Sequence, residues 1–189
     1  AFGNFSLEHN NGVANSAFGF VSLRNNTTGD YNSAFGYYSL YYNSVGRENS
    51  AFGETSLYFN TTGIQNSAFG TNSLYTNSTG NYNSSFGSNS LYSSTTGSEN
   101  SSFGSRSLYF NTTGQYNSAL GSGSMQFNTT GSYNTGIGFW SLRNSSGSYN
   151  TALGYSSGYN INSGSNNITI GNNSLVPSGT GSNQVRIGN

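Results

Sequence analysis

Small, apolar and polar residues return at a fixed spacing along the whole chain. Each unit reads close to Ser-Ala-Phe-Gly-x-x-Ser-Leu-Tyr-x-Asn-Thr-Thr-Gly-x-Tyr-Asn, and about eleven copies fill the sequence. The Gly after the Phe position recurs every 17 residues, except for intervals of 16 from Gly3 to Gly19 and from Gly138 to Gly154. This period is too short for a pair of helices and suits one coil of a β-solenoid.

Polar and apolar residues alternate over two short runs within each unit. The Ser-Ala-Phe run predicts one strand and the x-x-Ser-Leu-Tyr run a second, with a bend at the Gly between them. The Asn-Thr-Thr-Gly and x-Tyr-Asn segments are rich in turn-forming residues. Coils stacked at about 4.8 Å give a rod of roughly 50–55 Å, in which equivalent residues form files, one residue per coil, along the axis.

Two files stay apolar almost throughout, and we expect them to form the core. The Phe file contains Phe18, Phe35, Phe52, Phe69, Phe86 and Phe103, followed by Leu120, Ile137, Leu153, Ile170 and Ile187. The Leu file contains Leu23, Leu40, Leu57, Leu74, Leu91 and Leu108, followed by Met125 and Leu142. The sequence therefore predicts an all-β parallel β-solenoid or β-roll of about eleven 17-residue coils, forming one repeat domain over residues 1–189 within a longer fibre.

Two large apolar residues per coil make a thin core. A parallel homotrimer, in which three rods bury a common face, is the arrangement that we expect. The alternative is a monomeric solenoid with Asn and Ser files inside, because stacked Asn side chains can bond to one another along the axis.

Charged residues are too few for most chemistry. They make up 5% of the chain, against roughly 25% in ordinary soluble domains, and the net charge is zero. The single His, His9, has only Glu8 beside it, and the other acidic residues fall in different files. We therefore expect no enzyme activity, no catalytic residues, no metal site and no cofactor. Nucleic-acid binding lacks a basic stripe, and this segment has no apolar run long enough to insert into a membrane.

An outward file of tyrosines is the candidate ligand surface. It consists of Tyr41, Tyr58, Tyr75, Tyr92 and Tyr109 in five successive coils. Such a strip could stack on sugar rings or receive a protein partner. Alternatively, the tyrosines pack on one another or on a neighbouring chain and stabilise the rod.

Three further features of the outer surface carry minor hypotheses. A file of threonines at the Thr-Thr-Gly corner suggests ice binding: Thr28, Thr62, Thr79, Thr96, Thr113 and Thr130. Asn60, Asn111 and Asn128 begin glycosylation-type triplets that composition alone explains. Trp140 is the single tryptophan; it either forms a local contact site or fills the gap that a missing loop residue leaves in its shortened coil.

The repeats resemble the head repeats of YadA-type trimeric autotransporter adhesins. The likeness lies in the Asn-Ser-x-Ala-Ile-Gly-like core, as at Asn150-Thr151-Ala152-Leu153-Gly154 and Asn134-Thr135-Gly136-Ile137-Gly138, and it covers the whole chain, although this unit is longer than usual there. The resemblance implies a left-handed parallel β-roll, three chains wide, that attaches to host or matrix molecules at a cell surface. The tail, residues 182–189, is also similar to segments that precede an intramolecular chaperone in phage, viral and bacterial fibres.

These observations favour a non-enzymatic, extracellular fibrous protein on a cell surface or virion. We expect a surface adhesin head or fibre shaft whose repeated polar and aromatic surface serves attachment, with other copies of the chain and a host-surface or matrix protein or glycan as partners. The alternative is a structural filament formed by head-to-tail stacking of solenoid ends. Ice or carbohydrate binding is the minor alternative.

Overall fold

A computed structural model describes residues 1–188 and shows a parallel β-solenoid; Asn189, the last residue of the expected domain, lies outside them. Over the described residues the chain is all-β, with no helix and one sheet of eleven three-residue strands. The predicted solenoid is thus confirmed. The strands are β1 Ser16–Phe18, β2 Ser33–Phe35, β3 Ser50–Phe52, β4 Ser67–Phe69, β5 Ser84–Phe86, β6 Ser101–Phe103, β7 Ser118–Leu120, β8 Thr135–Ile137, β9 Thr151–Leu153, β10 Ile168–Ile170 and β11 Val185–Ile187.

The strands pair in chain order, and equivalent residues lie directly over one another. Ala34 pairs with Ala51, and Phe35 with Phe52. The shortened unit keeps this register, because Thr135 still pairs with Thr151 across an interval of 16 residues. The missing residue is therefore accommodated outside the strand, and the files continue through the whole stack.

The second predicted strand does not form. In the x-x-Ser-Leu-Tyr run, residues such as Thr55 (φ 53°) and Leu57 (φ 50°) adopt left-handed backbone conformations. This region disfavours β-branched and bulky side chains. The segment is held instead by hydrogen bonds to both neighbouring coils: the Thr55 N–H donates to Tyr37 O (2.8 Å), and the Leu57 N–H to Ser73 O (3.0 Å). Bonding between coils thus continues beyond the strands.

The Leu file occupies the interior of the coil together with the central residue of each strand. Leu23, Leu40, Leu57, Leu74, Leu91 and Leu108 are fully buried, as are Met125 and Leu142. They pack in one cluster with strand residues such as Ala34 and Ala51. These small and medium-sized side chains make up the apolar part of the core.

The Phe file lies on the outside of the coil, which corrects the expectation that it forms core. Adjacent strand residues point to opposite faces, so the inward position of Ala forces Phe outward. Phe18, Phe86 and Phe103 are exposed, and the rings of Phe35, Phe52 and Phe69 are half-buried. From Phe18 to Phe103 successive rings stack with centroids 4.6–4.9 Å apart and planes within 9°. The file shields itself by stacking along the rod.

Asparagine ladders fill the polar part of the interior. Asn43 Nδ2 donates to Oδ1 of Asn26 in the preceding coil (2.7 Å) and to Gly46 O in its own coil (2.8 Å). In a second ladder, Asn49 Oδ1 accepts from the backbone N–H of Asn66 (3.0 Å). Both ladders lie in the coil interior. A single chain therefore contains buried files of Asn and Ser, as the monomeric alternative requires.

Candidate binding surfaces

The tyrosine file stacks on itself along the rod. Its five rings are half-buried, with centroids 5.0–5.4 Å apart and planes within 9° from Tyr41 to Tyr109. Each inner ring therefore has a neighbour on both faces and presents only its edge to solvent. Between Tyr58 and Tyr92 no aromatic face is free for a sugar ring to stack on. This geometry favours the hypothesis that the file stabilises the rod.

Further aromatic rings close around the start of this file. Tyr42 meets Tyr58 edge to face at 5.3 Å, and Phe59 meets Tyr58 at 4.7 Å. This packing removes water from the phenol, and that desolvation, with smaller contributions from Tyr42, Tyr75 and Tyr41, raises the pKa of Tyr58 to about 12. Desolvation likewise raises the pKa of Tyr92. Tyr58 and Tyr92 are therefore partly dehydrated within the file.

The Phe file forms an apolar strip on another part of the coil surface. Where its rings give way to aliphatic side chains, the strip contains a depression of about 370 Å³. Phe103, Leu120 and Ile137 line it together with Ala119 and flanking serines. The aliphatic members are well exposed, with Leu120 at 51% and Ile137 at 42%. An apolar strip that runs past every coil is typical of a contact surface.

A third surface surrounds Trp140, for which only a minor role was expected. Trp140 packs over Gly123, the residue at the same position of the preceding coil, because a Cβ built there would lie 2.6 Å from Trp140 Cδ1. The tryptophan therefore uses space left by a glycine in its own file, rather than a gap at the shortened corner. Gly123 is the feature of the sequence from which this placement could have been inferred.

Arg143 joins Trp140 to the aromatic rings of adjacent coils. Its guanidinium lies 4.7 Å from the Trp140 ring centroid, 4.9 Å from that of Phe127 and 5.9 Å from that of Tyr159. It donates from Nε to Gln126 Oε1 (3.0 Å) and from Nη1 to the Tyr159 hydroxyl (3.2 Å). Cation–π contacts and two hydrogen bonds therefore fix the position of this charge.

A cleft of about 330 Å³ opens beside this cluster. Trp140, Tyr155 and Tyr159 provide its aromatic wall, and Ser156, Asn173 and Leu175 line the remainder. Leu175 points outward and is 44% exposed, while its neighbour Val176 takes the buried place. We refer to these six residues as the Trp140 cleft.

The remaining predicted features fall on ordinary surface or in the interior. At the Thr-Thr-Gly corner the first hydroxyl is tied to the next coil, as where Thr61 Oγ1 donates to Ser78 O (2.9 Å). The second Thr, as at Thr62, is exposed, so one outward file is present. Asn60, whose triplet is of the glycosylation type, is fully buried in a ladder, as are Asn111 and Asn128. Glycan attachment to these side chains is incompatible with the folded coil.

The charged groups are dispersed along the rod. His9 is exposed and its Nε2 lies 3.8 Å from a carboxylate oxygen of Glu8, which also pairs with Arg24. Over residues 1–188 no three His, Cys, Asp or Glu side chains come together as a metal site would require. Within the same residues no helix suited to crossing a membrane is found.

Comparison of the chain with protein-family models, with curated proteins and with solved structures finds no match.

Proposed function

We propose that this chain is a non-enzymatic segment of an extracellular fibre, the head or shaft of a surface adhesin. The supporting observation is the in-register stack: every coil repeats the same outward positions at one strand spacing, about 4.8 Å. Such a rod holds many equivalent weak contacts away from its anchor, and these add through multivalency when they act together. Host-surface or matrix proteins and glycans are the partners that this arrangement fits.

We further propose that copies associate in parallel as a homotrimer through the Phe file. The file leaves a continuous apolar strip along the rod, and Phe18 and Phe103 remain 46% and 40% exposed even after stacking on their neighbours. A parallel copy has the same axial repeat, so its rings meet the strip at each level. Burial of a repeated apolar strip stabilises the association by roughly 25 cal/mol per Å² removed from water.

Light scattering of the soluble rod tests this association. We expect the mass of three chains, and we expect a triple variant, Phe35→Ser, Phe69→Ser and Phe103→Ser, to dissociate to monomers. A matched control replaces Tyr31, Tyr82 and Tyr133, which are exposed aromatic residues in a different file, with Asn. A monomeric wild-type protein contradicts the trimer, and a mass that grows with concentration supports the head-to-tail filament instead.

Attachment requires a separate measurement. We expect the rod to bind a surface coated with matrix protein or with cell-surface glycans, and we expect its residence time to fall when whole coils are removed, because fewer contacts act together. Equal residence times for long and short rods would contradict attachment by repeated weak contacts.

A further inference from the structure

The Trp140 cleft places the exposed end of a short aromatic stack beside polar side chains. Tyr155 stacks on Phe139 at 5.5 Å with planes within 8°, but the next coil places Asn172 in that file. The stack therefore ends at Tyr155, which remains 50% exposed. A tyrosine at the end of a stack can receive a sugar ring on its remaining face, whereas an enclosed one cannot.

The polar residues of the cleft suit a ligand with hydroxyl groups. Ser156 and Asn173 lie beside the aromatic wall. Asn173 offers an amide that both donates and accepts hydrogen bonds. Aromatic faces combined with a few amide and hydroxyl groups match the alternating apolar faces and hydroxyl rims of a saccharide.

Arg143 adds a fixed positive charge at this wall. Its contacts with Trp140 and Tyr159, both of which line the cleft, hold it there, and it retains N–H groups beyond the two that donate to Gln126 and Tyr159. The ion pairs within residues 1–188 involve Arg24, Arg47 and His9, and none involves Arg143. The sequence after Glu99 contains no carboxylate side chain at all. The charge of Arg143 is therefore available for an acidic group of a ligand.

Local departures from the repeat build this cleft. Gly158 replaces the leucine of the preceding coils, and Ile161 fills the space, since a Cβ on Gly158 would lie 3.2 Å from Ile161 Cδ1. One coil later Leu175 turns outward while Val176 turns inward. The interior stays filled, and an additional apolar side chain reaches the surface beside Tyr155.

We propose that the Trp140 cleft binds an acidic saccharide, with a sugar ring against Tyr155 and Leu175 and its carboxylate paired with Arg143. The inference gives a ligand class to the attachment role, and it rests on that proposed function. A uronic acid within an oligosaccharide combines the ring, the hydroxyl groups and the carboxylate that the cleft requires.

The single tryptophan makes the test direct. The probe is a tetrasaccharide of alternating glucuronic acid and N-acetylglucosamine, titrated into the full chain while Trp140 fluorescence is recorded, with calorimetry as a second readout. The neutral comparison ligand is a tetrasaccharide of N-acetylglucosamine. We expect saturable binding of the acidic ligand and at least about tenfold weaker binding of the neutral one.

Substitutions taken from the same files limit damage to the fold. Arg143→Gln follows Gln126, and Tyr155→Ser follows Ser122, so each new residue already occurs at its position in another coil. We expect each variant to weaken binding of the acidic ligand by about tenfold or more. The matched control Tyr149→Asn removes a similarly exposed tyrosine in a different file, in which the next coil already carries Asn166. We expect this variant to bind the acidic ligand as wild type does.

Each outcome bears on a different part of the proposal. Absence of binding at about 10 mM ligand, or full binding by Tyr155→Ser, overturns the cleft as a saccharide site, because a contact that matters shifts the affinity measurably. Equal affinity for the acidic and neutral ligands overturns the role of Arg143. Light scattering of the same sample separates the proposals, since a trimeric rod that fails to bind removes the cleft and leaves the fibre intact.

Discussion

At the scale of single residues, the buried asparagines determine how one coil meets the next. In the ladder that contains Asn43, each Asn that follows another Asn donates from Nδ2 to the Oδ1 of the preceding coil, so its own Oδ1 is left to accept from the following coil. Ser94 and Ser145 interrupt this ladder with side chains too short to reach back. Within residues 1–188 the buried oxygens Asn77 Oδ1 and Asn128 Oδ1, one coil before each interruption, have no hydrogen-bond partner. Two local weaknesses in the rod therefore follow from two serines.

Ser94→Asn is expected to stabilise the rod. The new amide repeats the geometry of the neighbouring coils and supplies the donor that Asn77 Oδ1 lacks. Since a buried unpaired polar atom costs about 1–3 kcal/mol, the gain in the free energy of unfolding is expected to be roughly 1–2 kcal/mol. Thermal or denaturant unfolding of the variant measures it. Ser93→Asn, a change at the adjacent half-buried position, is the control and is expected to have little effect; an equal gain from both would contradict the ladder explanation.

Leu74→Ala and Phe69→Ala are expected to differ in cost. Leu74 is fully buried inside the coil, so its truncation leaves a cavity that costs about 2–5 kcal/mol. Phe69 is half-buried on the outer face between Phe52 and Phe86, and its loss removes two stacking contacts of roughly 0.5–1.5 kcal/mol each. Denaturant unfolding of each variant, measured at a concentration where the rod is monomeric, shows which substitution lowers the free energy of unfolding more. A greater cost for Phe69 would place the Phe file back in the core.

At the scale of the coil, the sequence specified the stacking but not which way each side chain points. The period predicted that Ala34 and Ala51 would lie in one file, and they do. Both Ala and Phe stay apolar in the repeat, so apolarity alone could not decide which residue of the strand faces inward. Side-chain size decides the orientation: the small Ala34 packs in the interior beside Leu40, and the large Phe35 stacks on the outer face.

The left-handed positions of the coil are the part that sequence reasoning missed. Propensity disfavours Leu57 or Thr55 at positive φ, and so their run looks like a strand. Inter-coil hydrogen bonds and burial of Leu57 outweigh that local preference. Gly123 and Gly158, which stand in the same two files with φ 65°, were direct sequence signals of this geometry, as were the asparagines Asn72 and Asn89 in the file of Thr55. The Trp140 cleft was missed for a related reason, since it combines residues of three successive coils.

Tyr58 provides a test of how the tyrosine file is packed. Its pKa is raised to about 12, chiefly by desolvation, from an ordinary value of 10.0. The folded state thus holds the phenolic proton more tightly than the unfolded state, so the stabilising contribution is complete below pH 10 and is lost as pH rises through 12. Absorbance titration of the phenolates is expected to lose its highest-pH component in Tyr58→Phe. This variant is also expected to lose less stability between those pH values than wild type; identical profiles would contradict the dehydrated packing.

At the scale of the whole molecule, the rod is a one-dimensional array in which each coil contacts only the coils next to it. Sheet pairing follows chain order without exception over the described residues, so stability accumulates coil by coil. The residue types on the outer surface change along the same axis: the Phe file is aromatic as far as Phe103 and aliphatic from Leu120 onward. The scaffold therefore tolerates different outward residues while the inward ones stay nearly constant. This separation explains how a site such as the Trp140 cleft can arise without disturbing the stack.

Removal of one complete coil tests this architecture as a whole. Deletion of residues 67–83 joins Asn66 to Ser84, which takes the place of Ser67, so that every file is preserved. We expect a folded rod shorter by one strand spacing, about 4.8 Å, as measured by small-angle X-ray scattering. Deletion of residues 67–82 is the control, because it leaves an extra Asn83 between the buried ladder residue Asn66 and the strand. The natural 16-residue unit differs in length at the exposed Thr-Thr-Gly corner, whereas here either the ladder or the strand must give up its register. We expect that variant to unfold at a markedly lower temperature. Equal stability of the two deletions would mean that the files are not in register, and an unchanged rod length would mean that the coils do not stack along a single axis.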